Sequence, residues 1–102
     1  MVKFTVIGGD ASSDLAKRIA RKLKSPYIKT ERKIFPDGES KITINQIPKK
    51  STIIVVQSTN PPVDSNLLEL LSIVSKVQKF SSKVYAVIPY MGYARQDREF
   101  LG

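Results

Sequence analysis

The chain has 102 residues, 41% hydrophobic and 25% charged, which bounds it to one globular domain with a modest core. It contains neither cysteine nor histidine, so disulfide frameworks and thiolate metal sites are excluded, along with the commonest metal ligand and general base. The lack of cysteine fits a reducing, cytoplasmic setting. No apolar run is long enough to span a bilayer, and Met1-Val-Lys-Phe-Thr-Val-Ile-Gly8 lacks a signal-peptide core, so no membrane partner is expected. The net charge of +8 is lopsided: residues 1–50 carry 12 Lys/Arg against 5 Asp/Glu, and residues 51–102 carry 5 against 4. A basic half suits an anionic partner, either phosphorylated metabolites or nucleic acid. The plainer reading of Lys17, Arg18, Arg21, Lys22 and Lys24 is the solvated face of one helix.

The elements follow in chain order. Val2 to Ile7 is predicted to be a buried strand closed by Gly8-Gly9. That turn lacks the spacing of either glycine-rich phosphate loop and is taken as a plain strand-to-helix connection. Ser12 or Ser13 can cap a helix whose apolar face is Leu15, Ile19, Ala20 and Leu23, with Pro26 as its stop. Tyr27-Ile28 suits a short strand. Lys33-Ile-Phe35 and Lys41-Ile-Thr-Ile-Asn45 alternate around Pro36-Asp-Gly-Glu39, a hairpin pattern with Asp37-Gly38 as the turn.

Thr52 to Val56 is a fully apolar strand. Turn-rich Gln57-Ser-Thr-Asn-Pro-Pro62 follows it, and Asp64 or Ser65 can cap a helix running to about Lys79. Leu67, Leu68, Leu70, Leu71, Val74 and Val77 give that helix an apolar face wide enough for a sheet or another subunit. Lys83 to Ile88 is predicted to be a buried strand, stopped by Pro89 and Gly92. Strands alternating with helices imply an α/β fold with a mainly parallel sheet and crossover helices.

Just past the last strand stand Arg95, Gln96, Asp97 and Arg98. As an isolated tetrapeptide they would pass for a solvated loop. Their position argues for a ligand, because open α/β sheets bind ligands beyond the carboxyl ends of their strands. Two guanidiniums can clamp a polyphosphate with bidentate geometry. Gln57, Ser58 and Thr59 end the central strand and either line the same crevice or simply cap turns.

Ile88-Pro-Tyr-Met-Gly-Tyr-Ala-Arg-Gln-Asp-Arg98 resembles the signature of ribose-phosphate pyrophosphokinases (phosphoribosyl pyrophosphate synthetases). Phe35-Pro-Asp-Gly-Glu39 is similar to that family's adenine-binding loop. Val55-Val-Gln-Ser-Thr59 with Asn66-Leu-Leu-Glu-Leu70 matches in family order and spacing. The similarity runs from about Phe4 to Leu101, whereas family members are roughly three times longer. The chain is thus expected to be a single N-terminal domain, with a phosphoribosyltransferase-like α/β/α sandwich and a protruding hairpin, or flag.

The resemblance implies a reaction for the complete enzyme: diphosphate moves from Mg2+-ATP to C1 of ribose 5-phosphate, giving phosphoribosyl pyrophosphate and AMP for nucleotide biosynthesis. It implies ATP contacts at Phe35, Asp37, Glu39, Arg95, Gln96, Asp97 and Arg98. Phe35 would stack on the base while Asp37 and Glu39 accept hydrogen bonds from the adenine amino group or ribose, since carboxylates do not suit phosphate. Arg95 and Gln96 would contact ATP. Asp97 would orient Arg95, and Arg98 would serve phosphate or an interface.

Homo-oligomers, with the hairpin reaching a neighbour's nucleotide, are implied as well. The ribose 5-phosphate site, the metal ligands and the catalytic residues would belong to the other part of the enzyme. Pro48-Lys49-Lys50 stands where many relatives have an arginine-containing loop linked to regulatory phosphate, and lysine there puts such regulation in doubt. Two rivals remain: a non-catalytic nucleotide-binding module that associates with complete subunits, and a small basic nucleic-acid-binding domain. The second lacks any RNA-recognition or zinc signature, so no nucleic-acid partner is expected.

Overall fold

A computed structural model describes residues 3–46, 50–81 and 83–94. Its elements are β1 (Phe4–Gly8), α1 (Ser13–Leu23), β2 (Tyr27–Ile34), β3 (Ser40–Ile44), β4 (Thr52–Val56), α2 (Val63–Val77) and β5 (Val84–Val87). A short 3-10 turn, Asp10–Ser12, leads into α1. The strands form one sheet in the order β3-β2-β1-β4-β5. β1 pairs in parallel with β2 and β4, β4 with β5, and only β3 runs antiparallel, against β2. This is the mainly parallel sheet with a hairpin that the sequence predicts.

The two-residue alternation of a strand sorts the core into layers. Ile53 and Val55 of β4 join Ile7 and Ile42 beneath Leu70, Ile73 and Val77 of α2. Val56, with Ile54 packed alongside, faces the other way and meets Val6, Ala16 and Ala20 under α1. Helices therefore cover both faces, and β4, buried on both, needs its unbroken apolar sequence.

Several details differ from the sequence expectation. Tyr27-Ile28 is the start of an eight-residue strand that continues to Ile34, so the hairpin is an extension of β2. Its first part pairs with β1 and its second with β3, which frees polar residues to occupy the outer half. The first helix stops at Leu23, ahead of Pro26, because Lys24 turns left-handed (φ 51°) and Ser25 N–H closes on Ala20 O at 2.9 Å. The basic side chains Lys17, Arg18, Arg21, Lys22 and Lys24 are exposed, as a solvated face requires.

No side-chain cap forms on either helix. Ser12 Oγ accepts from Ser58 N–H at 2.9 Å, Asp64 accepts from the Tyr93 hydroxyl, and Ser65 accepts from Arg32. All three are spent on tertiary contacts. The last strand is the largest correction. It is an exposed edge rather than a buried strand, with Tyr85 58% and Val87 38% exposed: among the described residues it pairs with β4 alone, and Tyr85 and Val87, opposite Ile54 and Val56, lie on the α1 face, where α1 packs over β1, β2 and β4 instead.

Candidate functional site

The connections leaving β1 and β4 go to opposite faces of the sheet, β1 to α1 and β4 to α2. Their carboxyl ends diverge there and leave a crevice at the switch point, where open α/β sheets bind ligands. An open cleft of about 370 Å3 occupies it, lined by Asp10, Ser12, Asp14, Ser58, Asn60 and Pro89 among others. Its floor is tied down by backbone hydrogen bonds from Gly9 N–H to Val56 O (3.0 Å) and from Gln57 N–H to Val87 O (3.1 Å). Among the described residues the lining includes two carboxylates and no cation, so a phosphate held here needs positive charge from beyond them.

Below the crevice lies a buried polar cluster. Gln57, fully buried, accepts from Ala11 N–H through Oε1 (3.1 Å) and donates through Nε2 to Glu69 Oε1 (2.8 Å). Glu69 Oε1 also accepts from Asp10 N–H at 2.7 Å. Gly9 is required by this arrangement, since a Cβ there would overlap the Gln57 amide and come within 2.9 Å of Glu69 Oε1. The glycine pair is thus a plain turn made close-fitting by Gln57.

Burial lifts the Glu69 carboxyl above its ordinary range, and the charge of Asp10 adds to this. The hydrogen bond from Asp10 N–H, the Arg32 charge and the Gln57 amide oppose it. A carboxyl raised in the fold contributes stability that is present below its ordinary pKa and lost as pH rises through the raised value. Urea unfolding of Glu69→Gln should therefore show a flatter stability-against-pH profile than the parent across that interval. An unchanged profile would contradict the assignment.

The approach to the arginine cluster is also fixed. Thr59, fully buried, donates through Oγ1 to Tyr90 O (2.8 Å) and accepts from Gly92 N–H (2.6 Å). The Tyr93 hydroxyl donates to Asp64, which raises the Tyr93 pKa. Two braces thus set the chain's course up to Ala94. Arg95, Gln96, Asp97 and Arg98 lie outside the described residues, as do Pro48 and Lys49.

The hairpin loop is described in full. Gly38, at φ +94°, takes the left-handed position that favours glycine, and its N–H donates to Phe35 O at 2.9 Å. The turn is thus centred on Pro36-Asp37, one residue earlier than the Asp-Gly pattern predicts. Asp37 Oδ1 accepts from Glu39 N–H (3.0 Å), so one of its oxygens serves the loop itself. Phe35 is half-buried, with Lys33 Nζ 5.2 Å from its ring centroid, while Asp37 and Glu39 are exposed. None of the three lines the crevice.

Sequence reasoning weighed Gln57, Ser58 and Thr59 for the crevice; only Ser58 lines it, and the other two brace it from below. It missed Glu69 and Arg32. The available signal was a carboxylate in the middle of a helical face otherwise made of Asn66, Leu70, Ile73 and Val77.

The fold and crevice define a phosphoribosyltransferase-like α/β/α sandwich. Two solved structures share it: phosphoribosylpyrophosphate synthetase from Mycobacterium smegmatis (TM-score 0.83, 24% identity, 95% of this chain and 33% of that one) and purine phosphoribosyltransferase from Pyrococcus horikoshii (TM-score 0.61, 18% identity, 88% and 65%). Within this class, the sequence pattern of the N-terminal domain of ribose phosphate pyrophosphokinase matches residues 4–101, and the chain belongs to that family. Curated relatives include the ribose-phosphate pyrophosphokinases of Sulfurisphaera tokodaii (41% identical over 96 residues, 93% of this chain and 33% of the relative). That of Methanobrevibacter smithii is 44% identical over 97 residues, 93% of this chain and 32% of the relative. The chain therefore spans about a third of the length of these relatives.

Proposed function

We propose that this chain is the nucleotide-recognising domain of a ribose-phosphate pyrophosphokinase whose complete form moves diphosphate from ATP to C1 of ribose 5-phosphate. The observation that carries the reading is the family match over residues 4–101, within which the hairpin presents Phe35, Asp37 and Glu39 at one exposed loop. Phe35 offers an aromatic face once Lys33 moves aside, and the free oxygens of Asp37 and Glu39 accept from an adenine amino group or a ribose hydroxyl. Arg95, with Gln96 and Arg98, takes the triphosphate, and Asp97 orients Arg95.

Ribose 5-phosphate binding and the chemical step fall to the remainder of the enzyme. Among the described residues no group of three or more His, Cys, Asp or Glu is placed to hold a metal. Mg2+ would be carried by the triphosphate, whose charge it would offset in the complete enzyme.

Phe35, Asp37 and Glu39 stand apart from the crevice lining. That separation favours a nucleotide shared between two copies, one giving the hairpin and the other the arginines. Exposed Ile34 (63%) on the hairpin and Leu68 (61%) and Leu71 (54%) on α2 supply apolar surface for such an assembly. No helix of the described residues is long and apolar enough to cross a membrane; the reading places the protein in the cytoplasm, with neither membrane nor nucleic acid as partner. One sedimentation experiment tests both halves. At micromolar protein, ATP absorbance should travel with a species of dimer size or larger. A monomer that leaves ATP behind would defeat the shared-site reading.

A further inference from the structure

The hairpin and the crevice have no lining residue in common, yet both are tied to α2 in the stretch from Ser65 to Glu69. Glu69 is 2% exposed, and its Oε1 holds the crevice turn through Asp10 N–H and Gln57 Nε2. Its Oε2 is buried without a hydrogen-bond partner among the described residues. From the hairpin side comes Arg32, three residues ahead of Phe35 and opposite Ile42 in the ladder. One of its terminal nitrogens donates to Ser65, one helical turn before Glu69, while its Nε is buried and likewise unpaired. Lys76 fixes the returning strand to the same helix by donating to Ile42 O. Helix α2 thus grips both hairpin strands.

Burying a carboxylate costs several kcal/mol in desolvation, and an apolar side chain in its place is often neutral or stabilising. Stability alone therefore does not account for Glu69. Its two oxygens divide the work: one accepts both hydrogen bonds from the crevice turn, and the other accepts none from Arg32, whose guanidinium at the hairpin's base acts on the carboxylate through its charge alone. We propose that Glu69 is a positioning residue that, with Arg32, couples the hairpin to the Gly9–Ala11 turn, so that Phe35, Asp37 and Glu39 keep a fixed angle to the crevice. The functional meaning of that angle rests on the nucleotide reading above; the mechanical link does not.

Amide hydrogen exchange on the whole chain tests the link without any nucleotide. In Glu69→Gln, exchange should quicken by about tenfold at Asp10 and Ala11 and also at Phe35, whose N–H is 2.7 Å from Glu39 O, while Val55 in β4 keeps its rate. If Glu69→Gln fails to fold, Arg32→Gln examines the link from the other end. Asp10 and Ala11 should then exchange faster although neither touches the substituted side chain, and Arg32→Lys should restore most of the protection. Acceleration confined to the substituted side, or an equal rise at Val55, would overturn the proposal.

Discussion

Gln57→Leu should destabilise the fold by about 3 kcal/mol, more than any exposed substitution in the chain. The two side chains are similar in size, so little of this loss is a cavity. It comes from hydrogen bonding: Gln57 gives the charged Glu69 one of its two donors and accepts from Ala11 N–H. A hydrogen bond to a charged group is worth about 1.5–3 kcal/mol, and the Ala11 N–H, at the rim of the open crevice, loses its acceptor but can turn to water, which adds less. The penalty should also shrink on acidification, because a protonated Glu69 needs the missing donor less. Urea midpoints at neutral and acidic pH, with exposed Lys22→Ala as the comparison, measure both effects. A loss below about 1 kcal/mol, or one that grows as pH falls, would mean that the cluster is not organised around the Glu69 charge.

Phe35→Ala and Arg95→Ala should each weaken ATP binding, with opposite signatures. Loss of base stacking costs about 1–3 kcal/mol by the standard of aromatic–base contacts elsewhere. Stacking is not a charge interaction, so this cost should be nearly independent of salt, and it should reduce the preference for ATP over a pyrimidine triphosphate. Loss of charge-assisted hydrogen bonds from Arg95 to phosphate should cost about 1.5–3 kcal/mol. That penalty should fall as salt screens the charge, with base preference intact. Calorimetric titration of both variants at two salt concentrations separates these patterns. Identical salt dependence and unchanged base preference in the two would remove the division into base platform and phosphate clamp.

Much of the fold was legible because burial imposes patterns on sequence. Thr52-Ile-Ile-Val-Val56 had to be a central strand, and Leu70, Ile73 and Val77 repeat at helical spacing. The hairpin showed in the alternation around Pro36-Asp-Gly-Glu39. What escaped depended on partners far along the chain. Tyr85 and Val87 have the composition of buried residues, and only the strand order reveals an exposed edge. Asp64 and Ser65 are good local caps, but Tyr93 and Arg32 claim them from 29 and 33 residues away. Glu69 was hidden because a carboxylate in a leucine-rich helix ordinarily faces water, whereas here Gln57 and the Asp10 amide make its burial tolerable. In the candidate site, the hairpin loop was visible from chemistry and family resemblance together. The buried cluster beneath the crevice was not, since its members are 12 and 59 residues apart.

AMP release shows whether this chain recognises the nucleotide but needs the rest of the enzyme for chemistry, as proposed. The chain is assayed with ATP, Mg2+ and ribose 5-phosphate, alone and then with the separately produced C-terminal two-thirds of a relative such as the Sulfurisphaera tokodaii enzyme. No ribose 5-phosphate-dependent AMP is expected from the chain alone, and measurable AMP is expected once the second part is added. Ribose 5-phosphate-dependent turnover by the chain alone, at a rate of about 1–100 per second as expected of kinases, would contradict that expectation.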